Sequence, residues 1–547
     1  MSLAGKADQA CSACKTQKRK CDKSLPVCEL CARLGRQCDY DERPPQPPSA
    51  ADFAALQSRL AELEDHLSAI MRGSSSAASV SDPALRGSAS SITPWTDHDH
   101  PAPFPCALFL DVDCFRWAGL RVPRPRVEIP MDILALLTDQ ANTVLDTALE
   151  FFRTVHTWMP IISKKRIDLG IPLRNGGPDL ALLFLAMKLI ISIPEGGAQA
   201  SPLYTATKRF LDVLQSGGTL TLACLQAMVL VALYEYGHAV YPAAWMTIGA
   251  CVRYADLLGV SPARRAYSIL GQGTSWTEVE ERRRVWWSIF ILDRAVALGS
   301  KGRFVADEPA ETELLPVNDA AWEQGDVSLA LQQPISAPLA ARQTPFARLC
   351  QSALLVSRAS ACRRSGNLAD AASLVDDVFR FGAVLDADSS SHRGSLPLLA
   401  PRCVAWSALF LALDEHCCPE KMTGEPGYVA GRDGAGKSAA ELEMQVRATG
   451  AVRAVSEQAR GAALRLAAAR DNDAGRLRAA SPLLLDALYC ATATFHWIGR
   501  ESGDEAAGAA VADVERAVAR VGERWRLGLE YLGVAELHKT TGTTAGR

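Results

Sequence analysis

Long apolar runs are missing from this chain. The stretch Leu180–Ile193 contains Lys188 and falls short of the roughly 20 apolar residues that cross a bilayer, so no membrane span is expected. The opening residues MSLAGKADQACSAC lack the apolar core of a secretory signal. Alternation of apolar and polar residues at period 2, bounded by hairpin turns, is almost absent, which argues against a β domain. Asp, His and Ser occur throughout, yet nowhere at a spacing that assembles a catalytic constellation, so no enzyme is expected. Net charge is lacking as well. The 58 Lys and Arg face 61 Asp and Glu, leaving −3, which excludes an indiscriminately sticky polycation. What remains is ordinary globular composition, 48% hydrophobic and 22% charged over 547 residues, enough for two or more domains and a sizeable core.

The cysteines are unevenly placed against that background. Six of the 16 fall in the pattern C-x2-C-x6-C-x6-C-x2-C-x6-C, at Cys11, Cys14, Cys21, Cys28, Cys31 and Cys38. A C-x2-C pair puts two sulfurs within reach of one tetrahedral metal, and zinc is the default ion for thiolates. Two separate four-ligand shells would need more sulfurs than these; six suffice only if two are shared. The pattern therefore predicts a cluster of two zinc ions, six cysteines and two bridging thiolates. Lys15, Lys18, Arg19 and Lys20 lie between Cys14 and Cys21 with no acidic residue among them, and Cys11–Cys38 holds seven Lys/Arg against two Asp/Glu. That excess is more than an anionic thiolate cluster needs, and it is the footprint of a phosphate-backbone binder. A disulfide framework and a redox motif are the rival readings; the missing secretory signal argues against the first. The other ten cysteines, from Cys106 to Cys490, show no repeating spacing and read as reduced, mostly buried thiols of the cytosol or nucleus.

The stretch CSACKTQKRKCDKSLPVCELCARLGRQC resembles the fungal binuclear zinc cluster (Zn(2)-C6 type) DNA-binding domain. The resemblance implies that Cys11 and Cys28 bridge the two zinc ions and that each half forms a short helix after its C-x2-C. It implies that the first helix enters the major groove of double-stranded DNA at a CGG-type triplet, with Lys18 at the base-reading position. Pro26 matches the proline that shapes the loop between the halves. Lys15, Arg19 and Lys20 then neutralise phosphate or flank the site, and the basic run doubles as a nuclear localisation signal.

Four regions follow residues 1–43. Residues 44–52 continue a proline-rich stretch from Asp39, expected to be extended and semi-rigid. Phe53, Leu56, Leu60, Leu63, Leu67 and Ile70 recur at alternating spacings of three and four, an a/d heptad seam over 53–71. Arg59 at g and Glu64 at the following e would face each other across a parallel dimer. An amphipathic helix packed on its own chain is the alternative; the narrow seam and its place after the cluster favour a homodimer. Residues 72–105 are Ser-, Ala- and Gly-rich and read as a disordered linker. His98, Asp99 and His100 within it read as a solvated polar turn rather than a metal site.

Residues 106–547 read as a large all-α domain. Apolar residues at helical period recur over 131–158, 178–193, 203–216, 219–236, 241–258, 277–298, 345–363, 367–385, 396–416, 438–469, 480–498 and 505–532, broken by Gly, Pro and Asn. The stretches at 151–167, 233–260, 280–303 and 314–326 resemble the fungal-specific transcription factor middle homology domain, a regulatory helical region with no catalytic motif. Gly431–Ser438 satisfies G-x4-G-K-S, but no sheet surrounds it, so a loop with an N-capping Ser438 is the better reading. Trp286, Ile289, Phe290 and Val296 share a helix face and read as core. Glu280 to Arg284 read as a charged first turn with local pairing, and Asp293–Arg294 as a partly buried pair. The whole reads as a nuclear, sequence-specific transcription factor for RNA polymerase II genes. By resemblance it is specific to a secondary-metabolite gene cluster and works with coregulators or the transcription machinery. A zinc-dependent protein–protein adaptor or corepressor is the alternative, against which the K-x-x-K-R-K run argues.

Overall fold

A computed structural model describes residues 6–7, 9–17, 19–40, 104–122, 127–138, 143–168, 177–194, 196–263, 269–271, 273–300, 303–391, 396–417, 438–468 and 478–544. Lys18, the heptad seam at 53–71, His98–His100 and Gly431–Lys437 lie outside the described residues. The chain divides into two units, Met1–Pro94 and Trp95–Arg547.

The first unit contains two short helices, α1 (Ser12–Thr16) and α2 (Glu29–Arg33). Each starts directly after the first cysteine of a C-x2-C pair, so Cys14 and Cys31 sit inside the helices rather than before them. The caps repeat: Cys11 (φ −60°, ψ 154°) and Cys28 (φ −70°, ψ 149°) are both extended. Helices of five residues are far below the 12–15 that are marginal alone in water. Among the described residues of this unit the buried apolar side chains are Ala7, Cys11, Cys14, Cys28 and Cys31, too few for apolar packing to hold the two helices.

The second unit is built of helices; among the described residues there is no strand, only isolated bridges such as Leu314–Pro334. Short helices α3 (Ala107–Leu110), α4 (Val112–Trp117), α5 (Met131–Leu137) and α6 (Val144–Arg153) lead into α7 (Lys164–Asp168), α8 (Pro178–Ile191), α9 (Pro202–Ser216), α10 (Leu222–Gly237), α11 (Ala243–Leu258) and α12 (Trp276–Ala297). After α13 (Asp319–Gln324) come the long helices α14 (Pro345–Ser365), α15 (Leu368–Ser391), α16 (Leu396–Cys417), α17 (Ala439–Ala467), α18 (Leu485–Ser502), α19 (Glu505–Gly522) and α20 (Leu527–Thr544). α14 packs along α16, α8 along α10, and α17 against both α18 and α19. α10 is buried over its whole length, as a helix apolar on every side must be. Ser438 begins α17 with a reciprocal cap: its hydroxyl accepts from Glu441 N, and the Glu441 carboxylate accepts from Ser438 N at 2.7 Å.

α16 has 22 residues, and an 18-residue window of it has a mean hydropathy of 1.7, long and apolar enough by composition to cross a membrane. Its apolar window is 72% buried within the protein, which makes it a core helix. The span expected at 505–532 is two helices, because the chain reverses where Gly528 stacks on Gly522; a Cβ at Gly528 would lie 2.9 Å from Gly522 Cα. The expected local pairs are present, Arg282 with Glu278 and both Arg283 and Arg284 with Glu280, but Glu280, Glu281 and Arg284 are buried and also bond over long range. Glu280 Oε1 accepts from Arg284 Nε (3.0 Å) and Val317 N (2.9 Å), and Arg284 donates to Val317 O (2.7 Å) and Asp319 (2.6 Å). Glu281 accepts from Ser163 N (3.0 Å) and Gln226 (2.8 Å). Trp286, Ile289, Phe290 and Val296 are core residues. Asp293–Arg294 is a buried pair at 2.9 Å whose arginine lies 3.6 Å over the Phe290 ring.

Candidate metal centre and nucleic-acid interface

Cysteine spacing folds the first unit into two copies of one turn, 17 residues apart. Lys15 N donates to Cys11 O and Ala32 N to Cys28 O; Arg19 N donates to Cys14 O and Arg36 N to Cys31 O. The repeat brings all six sulfurs together. Two sets of four have mutual sulfur separations within 4.8 Å: Cys11, Cys14, Cys21 and Cys28, and Cys11, Cys28, Cys31 and Cys38. Cys11 and Cys28 belong to both. Cys11–Cys28 is 3.8 Å, Cys14–Cys28 3.8 Å, Cys11–Cys31 3.7 Å and Cys11–Cys21 4.0 Å. A tetrahedral zinc with Zn–S near 2.3 Å sets its sulfurs about 3.8 Å apart, so the donor set fits two such ions. None of the six is in a disulfide.

The thiols themselves call for a cation. Burial first, then hydrogen bonds from neighbouring sulfurs, raise the Cys14 thiol above its ordinary value. The Cys28 contact first, then burial, pushes Cys31 up to about 12. Cys21 and Cys28 are shifted down instead, Cys28 first by the backbone N–H of Cys31, and a bound divalent ion would draw all of them to thiolates.

The two turns differ in charge. Lys15, Arg19 and Lys20 are exposed on the first. Seventeen residues on, their counterparts are Ala32, Arg36 and Gln37, and Lys18 corresponds to Gly35, which takes a φ of +60° at no steric cost. Exposed Arg33 and Arg36 keep the second turn basic, but with Glu29 its net charge over residues 28–37 is +1, against +4 over residues 11–20.

Residues 9–47 match the fungal Zn(2)-Cys(6) binuclear cluster domain, and residues 148–368 match the fungal specific transcription factor domain. The chain is 39% identical over 186 residues to transcription factor BOA15 of Botryotinia fuckeliana, a match covering 32% of this chain and 98% of that protein. It belongs to the fungal Zn(2)-Cys(6) transcription factors. It is also 28% identical over 331 residues to the azaphilone cluster-specific transcription factor azaR of Aspergillus niger, covering 58% of this chain and 63% of that one. To the citrinin biosynthesis transcriptional activator mrl3 of Monascus ruber it is 22% identical over 365 residues, 62% of this chain and 69% of that protein.

A transcription factor of this family carries two zinc ions in its cysteine module, and it is not an enzyme. Residues around the sulfurs that spacing does not single out complete the module. Cys31 N donates to Cys28 Sγ and Cys28 N to Cys38 Sγ, both at 3.4 Å, so amides soften the thiolate charge. The Tyr40 hydroxyl lies 3.8 Å from Cys21 Sγ and donates to Ser24 O at 3.0 Å. Asp22 accepts from Glu29 N at 3.0 Å, where α2 begins, and Ser12 N donates to Asp39 O at 2.9 Å, closing the end of the module on its start. A tyrosine two residues past the last cysteine and an aspartate just after the third were the available signals. In the helical unit, a cleft of about 280 Å³ is lined by Arg153, Trp158, Leu396, Pro397, Ala400 and Ser481, just below the range of about 300–1,000 Å³ typical of ligand sites.

Proposed function

We propose that this chain is a nuclear, sequence-specific regulator of RNA polymerase II genes that reads CGG-type half-sites in double-stranded DNA. Cys11, Cys14, Cys21 and Cys28 hold one zinc; Cys11, Cys28, Cys31 and Cys38 hold the other. Lys18 donates to a guanine edge in the major groove, while Lys15, Arg19 and Lys20 neutralise phosphates and fix register. Two chains pair through Phe53, Leu56, Leu60, Leu63, Leu67 and Ile70, so that two triplets are read together. Its target is one secondary-metabolite gene cluster; the names of the azaphilone and citrinin regulators support that choice. The domain divisions follow at 1–43, 44–52, 53–71, 72–105 and 106–547.

The observation that carries the reading is the charge difference between two otherwise repeated turns. A zinc staple serving only protein contacts has no need for exposed Lys15 and Lys20 where the matching turn carries Ala32 and Gln37. Selection of bound sites from random duplexes by the zinc-loaded chain tests it, with affinity then followed against salt. CGG triplets should be enriched, and binding should fall steeply with salt in proportion to the phosphates neutralised. A chain that holds two zinc ions yet shows no salt-sensitive DNA affinity is the adaptor instead.

A further inference from the structure

Exposed cations of the helical unit meet carboxylates: Arg447 lies 2.5 Å from Asp376, and Arg526 lies 3.0 Å from Glu530. The cysteine module holds two of its cations differently. Gln9 Oε1 accepts from Lys15 Nζ at 2.5 Å, and Gln17 Oε1 accepts from Arg36 Nη1. All four residues are exposed. Neither cation pairs with a carboxylate among the described residues. The Asp22 carboxylate is taken up by Ser24 Oγ (2.5 Å) and Glu29 N (3.0 Å) instead.

The backbone sets up the longer of the two ties. Gln17 ends α1, with its N–H on Ala13 O. Gly35, in the left-handed region, turns the chain after α2, and Arg36 N then donates to Cys31 O at 3.0 Å. From there the Arg36 guanidinium crosses to the first turn and meets the residue just before Lys18. The repeat does not produce these ties. Seventeen residues beyond Gln9 and Gln17 stand Pro26 and Leu34, which carry no amide side chain.

An amide and a carboxylate act differently on a cation. Both accept a hydrogen bond and restrict the side chain. A carboxylate also cancels the charge, whereas an amide leaves it whole for a third group. An ammonium has three donors and a guanidinium five, so each keeps donors free for phosphate oxygens. A side chain already held in place pays less to be ordered on binding.

We propose that Gln9 and Gln17 are positioning residues that hold Lys15 and Arg36 at full charge for the DNA phosphate backbone. Arg36, on the second turn, is then a phosphate contact alongside Lys15, Arg19 and Lys20. The proposal rests on the reading of the chain as a DNA-binding regulator.

The test titrates the full, zinc-loaded chain on a random-sequence duplex over a range of salt. Gln9→Ala and Gln17→Ala should each weaken binding about threefold and leave the log–log salt slope unchanged, because the cation remains. Gln9→Glu and Gln17→Glu keep the shape but cancel the charge, so each should lower the slope by about 0.9. Arg36→Gln should lower it equally, and adding Gln17→Ala to Arg36→Gln should cost nothing further, since Gln17 acts through Arg36. Every variant should keep two zinc ions. An unchanged slope in Arg36→Gln or in both glutamate variants, additive losses in the double variant, undiminished affinity in both alanine variants, or a zinc ion lost from either overturns the proposal. If binding by the unmodified chain does not fall with salt, the DNA-binding reading fails and the proposal with it; salt-sensitive binding by the unmodified chain together with any of those results sinks the proposal alone.

Discussion

Sharing sulfurs makes cysteines of identical chemistry unequal. Replacing Cys28 by alanine takes one sulfur from both four-sulfur sets and leaves three in each. Replacing Cys38 leaves Cys11, Cys14, Cys21 and Cys28 intact. Little else can compensate. Among the described residues of the module Ala7 is the one buried apolar residue besides cysteine, and burying one such methyl contributes about 1 kcal/mol. A structural zinc in a small module contributes on the order of 10–16 kcal/mol near neutral pH, so metal dominates by an order of magnitude. Full-length Cys28→Ala should therefore retain no zinc after dialysis and lose DNA binding, whereas Cys38→Ala should retain about one ion. Metal content by plasma mass spectrometry, with native mass spectrometry to count ions per chain, decides between them. The far-UV signal serves as the folding control, since α1 and α2 contribute only five residues each to a helical protein. Equal zinc loss from the two variants, or a single zinc in the unaltered chain, refutes the shared-thiolate geometry.

Lys18→Ala should cost about 1–3 kcal/mol at a CGG site and relax its specificity, while Lys20→Ala should weaken all sequences alike and flatten the salt slope; titration on specific and random duplexes separates them. Leu60→Asp with Leu63→Asp should keep both zinc ions but abolish tight binding to paired triplets without changing single-triplet affinity, read by gel shift. Gly237→Ala should destabilise the helical unit by about 1–3 kcal/mol or more, because the new Cβ would fall 2.3 Å from the Trp525 ring; the urea midpoint measures it. His238 should make stability pH-dependent. Burial first, then Arg524 and Arg526, lower it to about 3, so below about 6.5 the unfolded chain binds a proton that the folded one refuses. That stability is whole above about pH 6.5 and is lost, at up to ~1.4 kcal/mol per unit, as pH falls toward 3. Neither ring nitrogen has a hydrogen-bond partner, so His238→Phe should flatten this slope in urea titrations at pH 7, 6 and 5 without stranding a polar group.

The parts legible in the sequence are those fixed by local constraints. Six cysteines at x2 and x6 spacing imply converging sulfurs, because a metal shell demands it whatever the rest of the chain does. The long helices are legible because their apolar residues recur at 3.6 and stop at Gly, Pro or a capping serine such as Ser438. What failed was local reading of groups whose partners are distant. Glu280 and Arg284 look like an ordinary i,i+4 surface pair; Val317 and Asp319, more than 30 residues away, bury them. The reversal between α19 and α20 has no proline to announce it, only two glycines whose contact is tertiary.

The long-range pairs also explain why residues 314–326 carry a recognisable pattern without chemistry to perform. Arg284 has no exposed surface, and a buried guanidinium whose acceptors are removed costs several kcal/mol. Its acceptors are Glu280 on its own helix, the Pro160 and Val317 carbonyls and Asp319. Trp322 covers it at 4.2 Å and donates its ring N–H to Thr277 O at 3.2 Å. The segment after α12 is thus held at both ends of one charge, by backbone at Val317 and by an aromatic face at Trp322. Residues of this kind are restricted because each satisfies another's buried polarity, so a family can keep them with no substrate to bind. The sulfurs of the first unit are the contrast: their partners are two zinc ions rather than other side chains.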